Sequence, residues 1–216
     1  MTAALRGYYA IVDVTPAELG TGGGAALLAR ARALLAARPC CLQLRAKGSD
    51  AAALRDGARL LLPVCRAAGV PFCVNDRLDV ALAVGADVVH LGQDDLPLAD
   101  ARAVLRSTGR PIVVGISTHN LVQARAAAEA GADYIGFGPV FGTASKQNPD
   151  PIVGVETLAA VCRAVTVPVV AIGGITLDRV AFVAAAGASA AAVIAAVNQA
   201  ADPAAAGRQV AAAFAG

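Results

Sequence analysis

The sequence predicts an α/β protein of the (β/α)8 TIM-barrel class, for three reasons. Eight short apolar runs alternate with helical patterns, and their hydrophobicity is continuous, which is typical of parallel strands covered on both faces. The clearest polar clusters come directly after such runs, and a parallel barrel gathers the carboxyl ends of its strands on one face. The length of 216 residues suits one barrel, so we expect a single domain over residues 1–216.

A unit that recurs along the chain supports the barrel. In three places a proline opens a strand and a glycine follows the next helix: Val70-Pro71 with Gly85-Ala86-Asp87, Arg110-Pro111 with Gly131-Ala132-Asp133, and Val167-Pro168 with Gly187-Ala188-Ser189. Proline suits the first position of a strand, and glycine suits the turn that ends a helix. Strands are therefore predicted near 8–14, 40–45, 71–74, 87–91, 111–116, 133–137, 168–172 and 190–194. A last helix is predicted from about Pro203 to Phe214, and Gly20 to Gly24 reads as a loop before the first helix. A doubly wound open sheet is the alternative, but no strand is followed by G-x-G-x-x-G.

Composition argues against several classes of partner. A net charge of +2 without a basic run, and an aromatic content of 4%, argue against a nucleic-acid partner. The five cysteines are odd in number and form no C-x-x-C pair, so we expect buried reduced thiols and a cytoplasmic protein. Val180 to Ala201 carries no charge but consists mainly of alanine, so a helix, a glycine turn and a strand are favoured over a membrane span.

The cluster after the second strand suggests anion binding. Gln43, Arg45 and Lys47 alternate in sequence, so in an extended strand their side chains face the same way. Arginine offers a planar fork for diphosphate oxygens and lysine a compact charge. The same pair alone also fits a solvated surface.

Two carboxylates suggest a metal site. Asp76 and Asp95 follow consecutive predicted strands, which are neighbours in a barrel. Magnesium is usually held by one or two carboxylates together with substrate phosphates, so the sequence predicts Mg²⁺ here. Asp76 would otherwise cap the next helix, and Asp94 competes with Asp95 for the metal role.

Later clusters leave their roles more open. Ser117 and Thr118 are candidates for capping a helix that starts near His119. His119 itself has no nucleophile near it in sequence. His90 lies within the fourth strand, where a core position competes with one facing the barrel mouth.

The segments after the sixth, seventh and eighth strands suggest phosphate binding. Lys146, with the hydroxyls of Thr143 and Ser145, lies in a long loop from Pro139 to Val153, and loops of this length are often lids. Gly173-Gly174 and the loop after Val193-Ile194 follow strands seven and eight, where many barrels bind a phosphate on backbone N–H groups.

Taken in order, these motifs resemble the thiamine-phosphate synthase family. The resemblance covers almost the whole chain, and its motifs are Gln43 to Lys47, Asn75 to Asp79, Gly85 to Asp95, Gly115 to His119, Gly138 to Lys146 and Ala171 to Ile175. Each motif alone is common, but their joint occurrence in unbroken order is specific.

The resemblance implies a transferase of thiamine biosynthesis. Its reaction joins hydroxymethylpyrimidine diphosphate to thiazole phosphate, releasing diphosphate and forming thiamine monophosphate with Mg²⁺ held by Asp76 and Asp95. It also implies catalytic roles for Arg45, Lys47, Ser117 and Lys146. Diphosphate contacts would come from Gln43, Arg45, Lys47, Asn75 and Lys146, the pyrimidine contact from Ser117, and thiazole phosphate contacts from Thr143, Ser145, Gly173, Ile194 and Ala195.

One departure from the family pattern leaves alternatives open. The family usually has serine where this chain has Ala195, so a hydroxyl contact to the thiazole phosphate would be lost. A thiazole tautomerase shares the barrel and the histidine at His119, but typically lacks the full diphosphate set. A non-catalytic barrel that binds thiamine phosphate is the third reading. The sequence does not indicate an oligomeric state.

Overall fold

Eight parallel strands close into a barrel in the computed structural model, which describes residues 5–20, 22–142 and 151–215. The strands are β1 Gly7–Asp13, β2 Cys41–Arg45, β3 Phe72–Asn75, β4 Val88–Leu91, β5 Val113–Thr118, β6 Tyr134–Phe137, β7 Val169–Ile172 and β8 Ala190–Ala192. Each strand pairs with the next in the chain, and β8 pairs back to β1 with Ala190 opposite Gly7. This ring has no sheet edge, so the predicted (β/α)8 barrel is confirmed and the open sheet was the wrong alternative. That all 216 residues form one domain stays a prediction.

Helices lie between the strands on the outside of the barrel. They are α1 Pro16–Leu19, α2 Gly24–Leu35, α3 Ala51–Ala68, α4 Leu78–Val84, α5 Leu98–Thr108, α6 Leu121–Glu129, α7 Gly154–Ala164, α8 Val180–Ala185, α9 Ala195–Asn198 and α10 Pro203–Ala212. The short helix α1 was not predicted. Its signal is a capping box, in which the Thr15 hydroxyl accepts from Glu18 N–H while the Glu18 carboxylate accepts from Thr15 N–H.

The recurring unit has a structural purpose in this fold. Its glycines, Gly85, Gly131 and Gly187, all have positive φ values of 73°, 88° and 95°, which glycine adopts without a steric cost. The aspartates that follow bind the backbone of the neighbouring strand. Asp87 accepts from Phe72 N–H at 2.9 Å and Asp133 from Val114 N–H at 2.7 Å. All three units thus end a helix, and the two that contain aspartate also satisfy a backbone N–H near the start of a strand.

Both faces of the strands are buried, as the continuous hydrophobicity predicted. Alternate residues point outward against the helices and form the larger part of the core. The remaining strand residues point into the barrel, where a smaller cluster fills the interior: Leu5, Tyr9, Ile11, Cys41, Cys73, Val88, Tyr134, Val170, Ala190 and Ala192.

Two glycines make room for aromatic rings inside the barrel. A side-chain carbon at Gly115 would overlap with the ring of Tyr134, and one at Gly136 would lie 3.0 Å from Cε1 of His90. Gly115 therefore leaves space for a ring from the neighbouring strand β6, and Gly136 for a ring from β4, two strands away. Interiors packed to this density tolerate no added atom without a shift.

All five thiols are free, as expected, but only Cys41, Cys65 and Cys73 are buried, and the burial expected of Cys40 and Cys162 is only partial. Val180 to Ala201 contains the predicted helix, glycine turn and strand as α8 and β8, followed by the short helix α9, which was not predicted. In the described part of the chain, no helix is both long and apolar enough to cross a membrane.

The packing predicts that Gly115→Ala destabilises the protein by about 1–3 kcal/mol, because the added methyl overpacks the barrel against Tyr134. The free energy of unfolding from urea denaturation measures this. Gly142→Ala is the matched control, since its added carbon would meet only Ile152 Cδ1 at an ordinary 3.5 Å. Equal stability of the two variants would contradict the packing argument.

Candidate active site

An open cavity of about 1150 Å³ lies at the carboxyl end of the barrel, and all eight strands contribute side chains to it. Ligand sites of β/α barrels lie at this end, because the loops that follow the strands surround it. Its lining brings together the predicted residues of the described chain: Gln43, Arg45, Lys47, Asn75, Asp76, Asp95, Ser117, Gly173, Ile194 and Ala195.

Two carboxylates lie side by side on one edge of the cavity. Asp76 follows β3 with a left-handed φ of 64°, and its N–H donates to His90 O at 2.8 Å. Asp95 is held by Gly92 N–H, which donates to Oδ2 at 2.6 Å. Burial, and then the adjacent Asp95 carboxylate, raise the pKa of Asp76 from 3.8 to about 6. Two acids in contact are unfavourable when both are ionised, and this arrangement suits a cation between them.

The positions of these acids decide whether Asp76 caps a helix and whether Asp94 or Asp95 is its partner. Helix α4 has Arg77 at its N-cap and no side-chain capping bond, so Asp76 does not serve as the cap. Asp94 is exposed and Asp95 is partly buried beside Asp76, which favours Asp95 over Asp94 as its partner.

Two cations lie next to the carboxylates. Arg45 Nη1 is 2.6 Å from Asp13 Oδ1. Lys47 Nζ is 3.9 Å from Asp76 Oδ2, and its side chain is 61% exposed. Strand β2 ends at Arg45, so Lys47 reaches the cavity from the turn after the strand rather than from extended backbone. Asp13 therefore pairs closely with Arg45, whereas Lys47 lies at the outer limit of ion-pair distance from Asp76.

A chain of hydrogen bonds crosses the barrel interior below the charged groups. The Gln43 amide donates to the Tyr9 hydroxyl at 3.1 Å, and the hydroxyls of Tyr9 and Tyr134 are 3.1 Å apart. His90 continues the chain, with Nδ1 3.0 Å from the Tyr134 hydroxyl and Nε2 2.9 Å from Ser117 Oγ. This chain forms the floor of the cavity.

Burial keeps the floor uncharged. It raises the pKa values of the Tyr9 and Tyr134 hydroxyls well above 10 and lowers the pKa of His90 from 6.5 to about 4. Near neutral pH the imidazole of His90 is therefore neutral, with one nitrogen donating and the other accepting.

The opposite edge of the cavity is made of backbone. Gly173 and Gly174 have positive φ values of 97° and 61°, and a side-chain carbon on Gly173 would lie 2.5 Å from Pro139. Phe141 N–H donates to Gly173 O at 3.0 Å, which joins the two loops. Ile194 and Ala195 lie beside this pair, where α9 begins. Only glycines fit this close approach of two loops, so the edge is shaped by main chain.

The capping prediction for Ser117 and Thr118 is wrong. Strand β5 extends through Thr118, and Asn120 caps α6 by accepting from Gln123 N–H. Ser117 points inward to His90, whereas the buried Thr118 hydroxyl donates to Gly136 O at 3.0 Å.

His119 lies at the cavity wall and is held there by hydrogen bonds of its ring and its backbone. Its Nδ1 is 2.6 Å from Gly138 O, and its N–H donates to the Gln123 side chain at 2.7 Å. These bonds tie the end of β5 to the end of β6 and to α6. They give His119 a role in holding the wall.

Some predicted residues lie outside the described part of the chain, and others were missed. Thr143, Ser145 and Lys146 fall in the range 143–150, which is outside the described residues. Asp13 was not predicted, although it is an acid at the end of an apolar run, the same pattern that predicted Asp76. Tyr9 and Tyr134 carried no such signal, because tyrosine in an apolar strand is ordinary core.

Comparison with known proteins connects this geometry to one family. A family model described as thiamine monophosphate synthase matches residues 9–197. The thiamine-phosphate synthase of Anaeromyxobacter dehalogenans is 47% identical over 212 residues, covering 98% of this chain and 89% of that protein. The thiamine-phosphate synthase of Moorella thermoacetica is 45% identical over 189 residues, covering 88% of this chain and 89% of that protein.

Solved structures agree in fold. The thiamine phosphate pyrophosphorylase of Pyrococcus furiosus superposes with a TM-score of 0.82 at 31% identity, covering 99% of this chain and 96% of that one. A 3-hexulose-6-phosphate synthase superposes with a TM-score of 0.69 at 20% identity, covering 97% and 100% of the two chains. At that identity the second likeness concerns the fold alone.

The carboxylate pair predicts a pH dependence of stability. Since the folded-state pKa of Asp76 is about 6 and its ordinary value 3.8, the folded protein holds a proton that the unfolded chain loses between these values. Stability of the metal-free protein should therefore fall as pH rises from about 4 to about 6, by about 1–2 kcal/mol after allowing for partial exposure.

Asp76→Asn isolates this contribution, because asparagine tolerates the left-handed backbone but does not titrate. Urea unfolding of both proteins across this pH range in a chelator measures the difference. The wild type should lose stability relative to the variant as pH rises. Parallel curves would show that the pKa of Asp76 is not raised.

Proposed function

The chain belongs to the thiamine monophosphate synthase family, and we propose that its barrel mouth joins hydroxymethylpyrimidine diphosphate to thiazole phosphate with release of diphosphate. Thiamine-phosphate synthase activity, a group transfer, follows from that membership. The assignment of individual residues rests on the division of the cavity into two edges and a floor. One edge carries acids and cations, the opposite edge carries backbone N–H groups, and the floor is polar but uncharged.

This division is the observation that supports the proposal most directly. In an eight-stranded ring, β3 lies opposite β7, so Asp76 and Gly173 face each other across the cavity. Two anionic substrates bound at opposite edges bring their reacting ends to the middle, above Ser117. Holding both reactants in this way supplies much of the rate enhancement in a two-substrate reaction.

The acidic edge fits a magnesium ion. No group of three or more metal-ligating acids, histidines or cysteines occurs among the described residues, and Mg²⁺ needs only one or two carboxylates when substrate phosphates and water complete its shell. Asp76 and Asp95 would hold it. When bound, Mg²⁺ supplies positive charge next to the departing diphosphate.

The diphosphate is held from the β2 and β3 side. Arg45 and Lys47 donate to its oxygens, and the nearly buried Asn75 adds an amide contact beside them. Lys146, which lies outside the described residues, is the further cation that the family resemblance implies for the diphosphate. Gln43 lies deeper, two residues before Arg45, and reaches the diphosphate less directly because its amide is bonded to Tyr9.

The reaction proceeds without a protein nucleophile. The aminopyrimidine is electron-rich and supports positive charge on the carbon that loses diphosphate, and the thiazole nitrogen then attacks that carbon. Ser117 and His90 are hydrogen-bonded, but a histidine with a pKa of about 4 is a poor base for activating a hydroxyl. The buried thiols of Cys41 and Cys73 lie below the floor and do not face the reacting atoms.

Ser117 acts instead as a donor to the pyrimidine. With Gln43 donating at one end of the chain, Tyr9 donates a hydrogen bond to Tyr134 and Tyr134 donates to His90 Nδ1. The Nε2–H of His90 then donates to Ser117 Oγ. This direction leaves the Ser117 proton free for an acceptor on the pyrimidine ring. His90 is then a positioning residue that acts through Ser117.

The partners that we propose are small phosphorylated molecules, because the two edges of the cavity suit anions. Free thiols at all five cysteines support a cytoplasmic location. A thiazole tautomerase or a non-catalytic barrel would form no thiamine monophosphate from the two precursors, so an assay of the purified protein with both and Mg²⁺ distinguishes them.

We expect turnover to require Mg²⁺ and Asp76. Asp76→Asn should lower kcat by at least about 100-fold, as removal of a transition-state contact does elsewhere, and chelation should abolish turnover. Steady-state formation of thiamine monophosphate measures both. Asp79→Asn is the control, since Asp79 pairs with Arg77 on the exposed outer surface and should keep full activity. Wild-type kcat in Asp76→Asn would remove Asp76 from the site.

A double-mutant cycle tests whether His90 acts by positioning Ser117. Ser117→Ala and His90→Leu should each lower kcat by about three- to tenfold, the value of one hydrogen bond, and the double variant should lose no more than Ser117→Ala alone. His90→Gln keeps an amide donor near Nε2 and should recover part of the loss. Losses that multiply in the double variant would mean that His90 acts independently of Ser117.

A further inference from the structure

We propose that Arg179 binds the phosphate of the thiazole substrate and compensates for the hydroxyl that Ala195 lacks. The inference rests on the proposed function, which assigns that phosphate to the edge formed after β7 and β8. It adds a side chain, outside the motifs that carry the family resemblance, to an edge otherwise made of backbone.

Arg179 is fixed over the glycine pair by two contacts. Its Nη1 donates to Gly174 O at 3.1 Å. Its Cζ lies 4.8 Å from the centroid of the Phe141 ring, a cation–π distance. Both contacts come from the two loops that meet at Gly173, and the arginine lines the cavity from there. The side chain is thus held beside the backbone N–H groups, with further guanidinium N–H donors available to a ligand.

Arg179 differs from the other cations that line the cavity in its distance from acids. Arg45 is 2.6 Å from Asp13, and Lys47 is 3.9 Å from Asp76. In the described chain, no carboxylate oxygen lies within ion-pair distance of Arg179. Arg179 follows β7, across the barrel from the acidic pair. Among the described residues that line the cavity, Arg179 is the charged side chain on the segments after β7 and β8. A cation without a close acid at this edge suits the second of two anionic substrates.

The neighbouring acid forms no ion pair with it. Asp178 is exposed, and in the described chain its carboxylate oxygens lie beyond ion-pair distance of the Arg179 guanidinium.

The Arg179 guanidinium is a stronger phosphate donor than the serine hydroxyl that it would replace. A serine hydroxyl at position 195 would make one neutral hydrogen bond to a phosphate oxygen. A guanidinium makes charge-assisted hydrogen bonds, each roughly twice as strong, and its planar fork matches two phosphate oxygens at once. An arginine on the loop after β7 therefore more than replaces a hydroxyl on the loop after β8.

The test is steady-state kinetics with each substrate varied separately. Arg179→Gln should raise KM for thiazole phosphate about tenfold or more and change KM for the pyrimidine diphosphate by less than about twofold. Arg179→Lys should lie between wild type and Arg179→Gln, since it keeps the charge but not the fork. Competitive inhibition by inorganic phosphate against thiazole phosphate should weaken in Arg179→Gln in parallel with KM.

Two further variants show whether Arg179 acts by binding the phosphate or by stabilising the fold. Arg66→Gln is the matched control, because Arg66 also donates to a backbone carbonyl, Gly85 O at 3.2 Å, but outside the cavity. It should leave both KM values unchanged. Ala195→Ser should lower KM for thiazole phosphate several-fold in the wild type and recover part of the loss in Arg179→Gln.

The outcomes distinguish this inference from the function on which it rests. If the wild type forms no thiamine monophosphate, the proposed function fails and this inference fails with it. If the wild type is active and Arg179→Gln leaves KM for thiazole phosphate unchanged, or raises both KM values equally, only the role of Arg179 is wrong. A selective rise that Ala195→Ser partly reverses supports it.

Discussion

The hydrogen bond between Tyr9 and Tyr134, across the interior of the barrel, is the constraint on which the site depends. An eight-stranded barrel is just wide enough for side chains to fill, and these two rings meet with centroids 6.1 Å apart. The ring of Tyr134 requires glycine at position 115. Their hydroxyls lie where water does not reach, so they need partners, and Gln43 and His90 provide them. Packing thus dictates the polar floor.

Above that floor, the protein holds groups that are unfavourable without ligands. Asp76 combines a left-handed backbone with a carboxylate pressed against Asp95, and each of these features costs stability. Such costs are typical of sites whose ligand supplies the missing charge. The pairing of Arg45 with Asp13 and the approach of Lys47 to Asp76 limit the cost in the free protein. On the proposed function, Asp13 and Asp76 would give up part of these interactions when a diphosphate binds.

Much of the fold was predictable because strands buried on both faces have a continuous apolar pattern. The charged edge was predictable too, since acids and cations follow such strands directly. The floor was not, because Tyr9 and Tyr134 are 125 residues apart and only barrel closure brings them together. The capping role expected for Ser117 was wrong because β5 continues through Thr118, so a later residue, Asn120, caps the helix. A short polar stretch does not indicate where a strand ends.

On the proposed function, the distance between the two edges allows a phosphate contact to change at one edge while the chemistry at the other is kept. A phosphate anchored after β7 and β8 would be bound equally in the ground state and the transition state, so its contacts would affect KM more than kcat. The main chain at this edge is fixed by the interlocked loops at Gly173 and Phe141, whatever side chains surround it. Affinity is therefore able to move from a hydroxyl at position 195 to a guanidinium at Arg179 while the backbone donors stay in place. On the proposed function no such exchange is open at the acidic edge, because Asp76 and Asp95 would hold the metal ion whose positive charge acts on the departing diphosphate.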